Sequence, residues 1–174
     1  MYPQEIVSDY TKIWFRRLPD VASFGNAYGG LLRRFNRVRV NIGGSWADNA
    51  MISIVDDDRS IRVAAKMLIQ SLGYTTATFA SAEAFLQSGR VRDTTCLITD
   101  VQMPGMSGVD LQSHLTACGH CTPVIFITGY AEERIKERAL EGGAFGFLSK
   151  PFSEESLIAC LDRAMEYHRA TRAE

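Results

Sequence analysis

The sequence has few cysteines, few prolines and no long hydrophobic run. Four cysteines among 174 residues, mostly in apolar settings, are too few for the disulfide framework of a small secreted protein, so we expect a reducing, cytoplasmic location. No apolar stretch approaches the roughly 20 residues that a membrane-spanning helix needs. The first residues include charged and aromatic side chains where a signal peptide has an apolar core, so no export signal is predicted.

The charge is nearly balanced overall but is unevenly distributed. The formal net charge is -1 and the hydrophobic content is 46%, values typical of a soluble globular domain. Residues 1–48 hold seven basic and four acidic residues, a net charge of +3, whereas residues 49–174 hold twelve basic and sixteen acidic residues, a net charge of -4. We therefore expect a poorly ordered N-terminal extension over 1–48, one folded domain over 49–170 and a tail over 171–174. A basic arm for a membrane surface or nucleic acid is the alternative for residues 1–48.

From residue 51 onward, short apolar runs alternate with helical patterns. Strands are predicted at 51–55, 74–79, 95–99, 123–127 and 144–148, and helices at 60–72, 81–86, 108–117, 131–141 and after Ser153. Asp58 or Ser60 is suited to cap the first helix, and Ser81 and Ser153 are suited to cap two others. Such alternation with short connections predicts an α/β fold, in which a doubly wound parallel sheet has helices on both faces.

Polar side chains follow four of the predicted strands. They are Asp56 and Asp57, then Asp100, Thr128 and Lys150. Because the carboxyl ends of parallel strands share one edge of the sheet, we expect these groups to converge. Crowded carboxylates repel one another and offer the hard oxygen ligands that Mg²⁺ prefers. The cluster therefore predicts transfer of a phosphoryl group to a carboxylate.

Asp100 is the candidate nucleophile of this cluster. It ends the apolar run that starts at Cys96 and precedes the Pro104-Gly105 turn. A carboxylate in that position is suited to attack a phosphoryl group, while Lys150 neutralises charge and the Thr128 hydroxyl donates a hydrogen bond to the phosphoryl oxygens.

Residues from about 50 to 168 resemble the receiver domain of two-component response regulators, especially FixJ-like ones. The stretches that carry this resemblance are Ile54-Val55-Asp56-Asp57-Asp58, Thr99-Asp100-Val101-Gln102-Met103-Pro104-Gly105-Met106-Ser107-Gly108, Phe126-Ile127-Thr128-Gly129 and Lys150-Pro151-Phe152. The resemblance implies a flavodoxin-like sheet with five strands in the order 2-1-3-4-5 and five helices.

The resemblance also implies roles for the clustered residues. Asp100 is the expected phosphoacceptor. Asp57, Asp100 and the backbone carbonyl of Gln102 are the expected direct ligands of Mg²⁺, and Asp56 is expected to assist through water. Thr128 and Lys150 are expected to hold the phosphoryl group.

A phosphorylation switch and its partners follow from the same resemblance. Thr128 is expected to move toward the phosphoryl oxygens while Phe147, the switch aromatic, turns inward. These movements are expected to alter the surface of the fourth helix, fifth strand and fifth helix.

A sensor histidine kinase is the expected phosphoryl donor. The phosphorylated domain is expected to bind a downstream protein or to form a phosphorylation-dependent homodimer. Direct contact with nucleic acid or membrane is not expected. The domain is expected to assist its own phosphorylation and dephosphorylation without being an enzyme in the usual sense. No helix-turn-helix or catalytic pattern follows the last helix, which predicts a stand-alone receiver.

A second motif offers a function of another class. Cys118-Gly119-His120-Cys121 has the spacing of a thiol-disulfide redox motif, so the alternative function is a redox protein that uses Cys118 and Cys121. The motif ends a predicted helix instead of starting one, so the helix dipole opposes a low thiol pKa. We interpret it as a turn between helix and strand. Cys96 and Cys160 are predicted to be small core residues.

Overall fold

The computed structural model describes residues 50–129 and 133–172. The prediction for residues 1–48 lies outside the described residues. The elements, numbered here in chain order, are β1 (Met51–Val55), α1 (Arg59–Ser71), β2 (Thr75–Phe79), α2 (Ala82–Gln87), β3 (Thr94–Asp100), α3 (Gly108–Ala117), β4 (Val124–Thr128), α4 (Glu133–Glu141), β5 (Gly146–Ser149) and α5 (Glu154–Arg172). Among the described helices, none combines the length and the apolar character needed to cross a membrane.

The strands form one parallel sheet in the order β2-β1-β3-β4-β5. This order confirms the fold expected from the sequence. The inner strands β3 and β4 are almost wholly buried, whereas the edge strands β2 and β5 are partly exposed. That contrast follows from the topology, because an inner strand of a parallel sheet is covered on both faces and lacks a free edge.

Apolar side chains cover both faces of the sheet. On one face, Ile54, Ile98 and Ile125 belong to a core cluster with Ile69 of α1 and Leu161 of α5. The other face holds a second cluster. Two strands and three helices contribute to it, with Leu97 of β3, Phe126 of β4, Phe85 of α2, Leu111 of α3 and Ala139 of α4. Successive strand residues alternate between the clusters because side chains along a strand point to opposite faces. The two layers fix the sheet, and hence the positions of the strand ends.

Side-chain caps begin several helices as the sequence predicted. Asp58, one of the two candidates, caps α1 by accepting the N–H of Ser60. Ser81 accepts the N–H of Ala84 at the start of α2. Ser153 accepts the N–H of Ser156 at the start of α5. Each cap satisfies a backbone donor that has no partner within its own helix.

Several boundaries differ from the prediction by one or two residues, and α5 continues to Arg172, beyond the expected domain end at 170. The starts of two strands show the physical cause. The fifth strand was expected at 144–148 and is Gly146–Ser149, because the N–H of Ala144 still donates to the Ala139 carbonyl at the end of α4. The second strand begins at Thr75 instead of residue 74, because the N–H of Tyr74 donates to the Ile69 carbonyl. Both strands start later because the preceding helix end retains hydrogen bonds from the connecting residues.

Candidate functional site

Three aspartates meet at the carboxyl edge of the sheet. Carboxylate oxygens of Asp56, Asp57 and Asp100 all lie within 4.8 Å of one another. Asp56 and Asp57 follow β1, and Asp100 ends β3, which pairs with β1 through Val55 and Thr99. Asp56 and Asp100 are 1% and 7% exposed, whereas Asp57 is exposed. The register of two adjacent strands therefore creates the carboxylate cluster that the sequence predicted.

Lys150 joins this cluster from β5, on the other side of β4. Its Nζ lies 2.9 Å from Asp56 Oδ2 and 2.5 Å from Asp100 Oδ2. Its backbone N–H donates to the Thr128 carbonyl at 2.6 Å, and the Lys150–Pro151 peptide bond is cis. One ammonium group thus bridges the carboxylates that follow two different strands.

Burial and ion pairing act together on the pKa values of this site. Burial raises the pKa of Asp56, although the hydrogen bond from Lys150 and the Asp58 N–H oppose that shift. Burial would lower the pKa of Lys150, but the hydrogen bonds to Asp100 and Asp56 outweigh it, so the net pKa is raised. Lys150 is therefore a cation at neutral pH and can neutralise negative charge beside the aspartates.

Further hydrogen bonds orient the carboxylates. Asp56 Oδ1 accepts the N–H of Asp58 at 2.8 Å, and Asp100 Oδ1 accepts the N–H of Gln102 at 3.1 Å. Arg62 Nη1 of α1 donates to the backbone carbonyl of Asp56 at 2.5 Å. Arg62 was not among the site residues predicted from the sequence. Its position one helical turn after the Asp58 cap was the available signal, because that turn begins beside the end of β1.

The other predicted site residues lie around the cluster. Thr128 is buried and ends β4, whose Ile127 pairs with Asp100. Gln102 is exposed in the connection that follows Asp100. Phe147 is half-buried and stacks on Phe126, with ring centroids 5.0 Å apart and an interplanar angle of 18°. The structure brings Asp56, Asp57, Asp100 and Lys150 together. It places Phe147 against the buried ring of Phe126.

The donor set of the cluster suits a hard divalent cation. Three carboxylates within 4.8 Å supply only oxygen ligands, and the exposed Asp57 leaves one side open to water. Mg²⁺ favours carboxylate and water oxygens and retains several waters when it binds. The residues present therefore fit Mg²⁺ better than a metal that prefers sulfur or imidazole ligands.

The cysteine motif lies away from this edge of the sheet. Cys118 is the C-cap of α3, and Cys121 lies in the connection before β4, at the amino end of that strand. Both are exposed free thiols, and Cys118 Sγ lies 3.7 Å from His114 Nε2. Cys96 and Cys160 are buried, which confirms their prediction as core residues.

Comparison with known proteins agrees with this arrangement. The family model described as "Response regulator receiver domain" matches residues 52–162. Nodulation protein W of Bradyrhizobium diazoefficiens is 40% identical over 123 residues, which cover 71% of this chain and 54% of that protein. Response regulator protein TmoT of Ectopseudomonas mendocina is 39% identical over 117 residues, which cover 67% and 53%. The crystal structure of FixJ-N superimposes with a TM-score of 0.61 and 34% identity, covering 67% of this chain and 94% of that one.

The chain therefore belongs to the response regulator receiver domain family of bacterial two-component systems. The function of this family is to accept a phosphoryl group on an aspartate, and the family is not one of enzymes in the usual sense. The family match gives no support to the thiol-disulfide alternative. The chain spans about half the length of the curated relatives it matches.

Proposed function

We propose that Asp100 is the phosphoacceptor of this receiver. The observation that carries the proposal is the convergence of the Asp100 carboxylate with Asp56, Asp57 and the ammonium of Lys150. Asp100 is one of two buried aspartates there, and it alone ends a strand in the middle of the sheet. Its strand is flanked by β1 and β4, and Asp100 itself pairs with Ile127. One edge of the cluster remains open through the exposed Asp57.

Asp57, Asp100 and the backbone carbonyl of Gln102 would hold Mg²⁺, with Asp56 assisting through water. When bound, the ion neutralises charge on the phosphoryl oxygens and on the carboxylates. The proposal is supported by the all-oxygen donor set and by the charge balance of the carboxylates. Among the described residues, their ion pairs are made with Lys150, whose single charge does not offset three carboxylates.

The transfer step uses the side chains of this chain in distinct roles. A carboxylate oxygen of Asp100 attacks phosphorus and forms a P–O bond, while the bond from phosphorus to the donor nitrogen or oxygen breaks and the leaving group keeps that electron pair. Lys150 offers its ammonium to the new negative charge, and the Thr128 hydroxyl donates to a phosphoryl oxygen. In dephosphorylation, water attacks phosphorus and the Asp100 carboxylate leaves. The domain thereby assists its own phosphorylation and dephosphorylation.

The proposed partners are supported by membership of the receiver domain family. The phosphoryl donor is a sensor histidine kinase, and the domain acts in the cytoplasm. Phosphorylation moves Thr128 and Phe147 and thereby changes the surface of α4, β5 and α5. This surface binds a downstream protein or a second phosphorylated copy. Contact with nucleic acid or membrane is not part of the proposal. The receiver domain is proposed to start at residue 49, and α5 carries it to Arg172, two residues beyond the expected end at 170.

Intact mass spectrometry tests the acceptor directly. The wild-type protein, Asp100→Asn and the control Asp93→Asn are incubated with Mg²⁺ and acetyl phosphate. Asp93 is an exposed aspartate in the connection before β3, so its loss leaves the carboxylate cluster intact. We expect a mass increase of about 80 Da, one phosphate less one water, in wild type and Asp93→Asn only. An equal adduct in Asp100→Asn, or none in wild type, would exclude Asp100 as the acceptor.

A further inference from the structure

Glu83 connects α2 to the loop that follows Asp100. Glu83 Oε1 accepts the backbone N–H of Met106 at 2.8 Å, across 23 positions of the sequence. Glu83 lies in the first turn of α2, which the Ser81 side chain caps and which packs into the core through Phe85. The carboxylate therefore extends from a fixed helix start to a connecting loop that has no regular secondary structure.

Gly105, which precedes Met106, supplies independent evidence for the same contact. Gly105 has φ +79°, and a Cβ atom built there would lie 2.7 Å from Glu83 Oε1. The turn therefore approaches the carboxylate so closely that a side chain at position 105 would displace it. Hydrogen bonds from the Glu83 backbone N–H, the Met106 N–H and Ser81 hold the pKa of Glu83 below its ordinary range. Glu83 is consequently ionised at neutral pH, which strengthens its bond to the Met106 N–H.

Hydrogen bonds fix both ends of the loop of residues 101–107, and Glu83 binds a residue between those ends. At the base, the N–H of Gly108 donates to the Val101 carbonyl at 3.0 Å, and the N–H of Gln102 donates to Asp100 Oδ1. Those bonds fix where the loop leaves β3 and enters α3. The Met106 N–H lies on the segment between those ends, and its acceptor comes from a different element of the fold.

We propose that Glu83 is a positioning residue for the 101–107 loop, and that its bond to Met106 holds the loop so that the Gln102 backbone carbonyl is presented to Mg²⁺. This inference rests on the proposed function of Asp100 and Gln102. Groups that orient a metal ligand from outside the coordination shell change metal affinity by about 10- to 100-fold when removed. Glu83 acts through the loop and touches neither the metal position nor the phosphoryl group.

The first measurement examines the hydrogen bond alone, in protein kept free of Mg²⁺ and of phosphoryl donor. Amide hydrogen exchange at Met106 is compared in wild type, Glu83→Ala, Glu83→Gln and the control Gln87→Ala, which shortens an exposed side chain of similar length on the same helix. We expect exchange at Met106 to become about 10- to 150-fold faster in Glu83→Ala, the factor that corresponds to the roughly 1.5–3 kcal/mol that a hydrogen bond to a charged group contributes. Gln87→Ala retains full protection, and Glu83→Gln, which keeps an acceptor oxygen but loses the charge, retains part of it. Unchanged protection in Glu83→Ala overturns the proposal.

The second measurement separates metal binding from chemistry in the same four proteins. The rate of phosphorylation by acetyl phosphate is followed as a function of Mg²⁺ concentration, and Mg²⁺ affinity is measured separately by calorimetry. For Glu83→Ala, we expect the half-saturating Mg²⁺ concentration to rise about tenfold, with the maximal rate recovered at saturation. Glu83→Gln restores the wild-type value to within about twofold because it keeps an acceptor oxygen.

The outcomes distinguish this inference from the proposed function. A lower maximal rate in Glu83→Ala with unchanged Mg²⁺ affinity overturns the positioning role, because the effect would then not act through the metal. Failure of wild type to be phosphorylated at any Mg²⁺ concentration overturns the proposed function, while calorimetry and exchange at Met106 still test Glu83. Asp100→Asn serves as the reference that gives no phosphorylation at any concentration.

Discussion

Lys150 Nζ lies 2.5 Å from Asp100 Oδ2, although 50 positions separate the two residues in the sequence. The contact arises because β3, β4 and β5 are neighbours in the sheet and all end at the same edge. A single ammonium group thereby serves Asp100 and Asp56 together. The ammonium group compensates two carboxylates, and in the phosphorylated state proposed above it would be available to the added phosphoryl oxygens.

Replacing Lys150 by methionine tests this dual role. Lys150→Met keeps much of the side-chain length and removes the positive charge. We expect the rate of phosphorylation by acetyl phosphate to fall about a hundredfold, the scale seen when one group that stabilises transition-state charge is removed. The pKa of Asp56, already raised by burial, should rise further because its ion-pair partner is lost. Stopped-flow kinetics and carboxyl-carbon NMR titration check the two expectations.

Lys136→Met is the matched control for that substitution. Lys136 lies on α4 and pairs with Glu133 at 3.5 Å in a more exposed setting. Exposed ion pairs of this kind contribute at most about 1 kcal/mol, so phosphorylation should proceed at the wild-type rate. Equal rates for Lys150→Met and wild type would show that the ammonium group is dispensable for transfer.

The Asp110–Arg138 pair leads to a pH-dependent prediction. Ser107 Oγ donates to Asp110 Oδ2 at 2.6 Å, and Arg138 Nη2 lies 2.9 Å from Asp110 Oδ1. The Ser107 hydroxyl and then the Arg138 guanidinium hold the pKa of Asp110 below its usual range. Because the folded pKa is the lower one, the stabilisation is present above the unfolded value of about 3.9 and is lost as the pH falls through the folded pKa.

NMR titration of the Asp110 carboxyl carbon measures this effect. Ser107→Ala or Arg138→Gln should raise the pKa of Asp110 toward its ordinary value, because each removes a group that favours the carboxylate. Arg134→Gln, an exposed arginine on the same helix, should leave that pKa unchanged. Since both members of the pair are more than half exposed, its contribution to the free energy of unfolding should stay below about 1 kcal/mol. A larger loss would indicate that Arg138 has a structural role besides this ion pair.

The carboxylate cluster could be predicted from the sequence because its members follow apolar runs. A residue that ends a strand, such as Asp100, or directly follows one, such as Lys150, lies at a known edge of a parallel sheet, so topology alone brings the groups together. The contact between Glu83 and Met106 gives no such signal. Glu83 belongs to a short helix, its partner is a backbone N–H, and the contact depends on how closely the turn at Gly105 approaches α2. Periodicity indicates which face of an element is buried, but it does not indicate how far one partly buried side chain such as Glu83 extends.

Gly108 gives the most direct test of how the loop after Asp100 is packed. A Cβ atom at position 108 would lie 2.1 Å from the Asp100 carbonyl oxygen and 3.1 Å from Thr99 Cγ2. The first of these neighbours is backbone in the middle of the sheet, so it cannot rotate away. Gly108→Ala must therefore move the start of α3 or the end of β3. We expect it to reduce the free energy of unfolding by about 1–3 kcal/mol, the usual cost of overpacking.

Gly129→Ala is the matched control, because a Cβ atom there meets nothing within 4 Å and its backbone needs no positive φ. Its free energy of unfolding should stay within about 0.5 kcal/mol of wild type. Urea unfolding of both variants, monitored by circular dichroism, compares the two glycines at the same edge of the sheet. If the two variants were equally stable, α3 would not press on the Asp100 carbonyl. The position of the Asp100 carboxylate would then depend on Lys150 and the N–H of Gln102 instead of on the packing of α3 against β3.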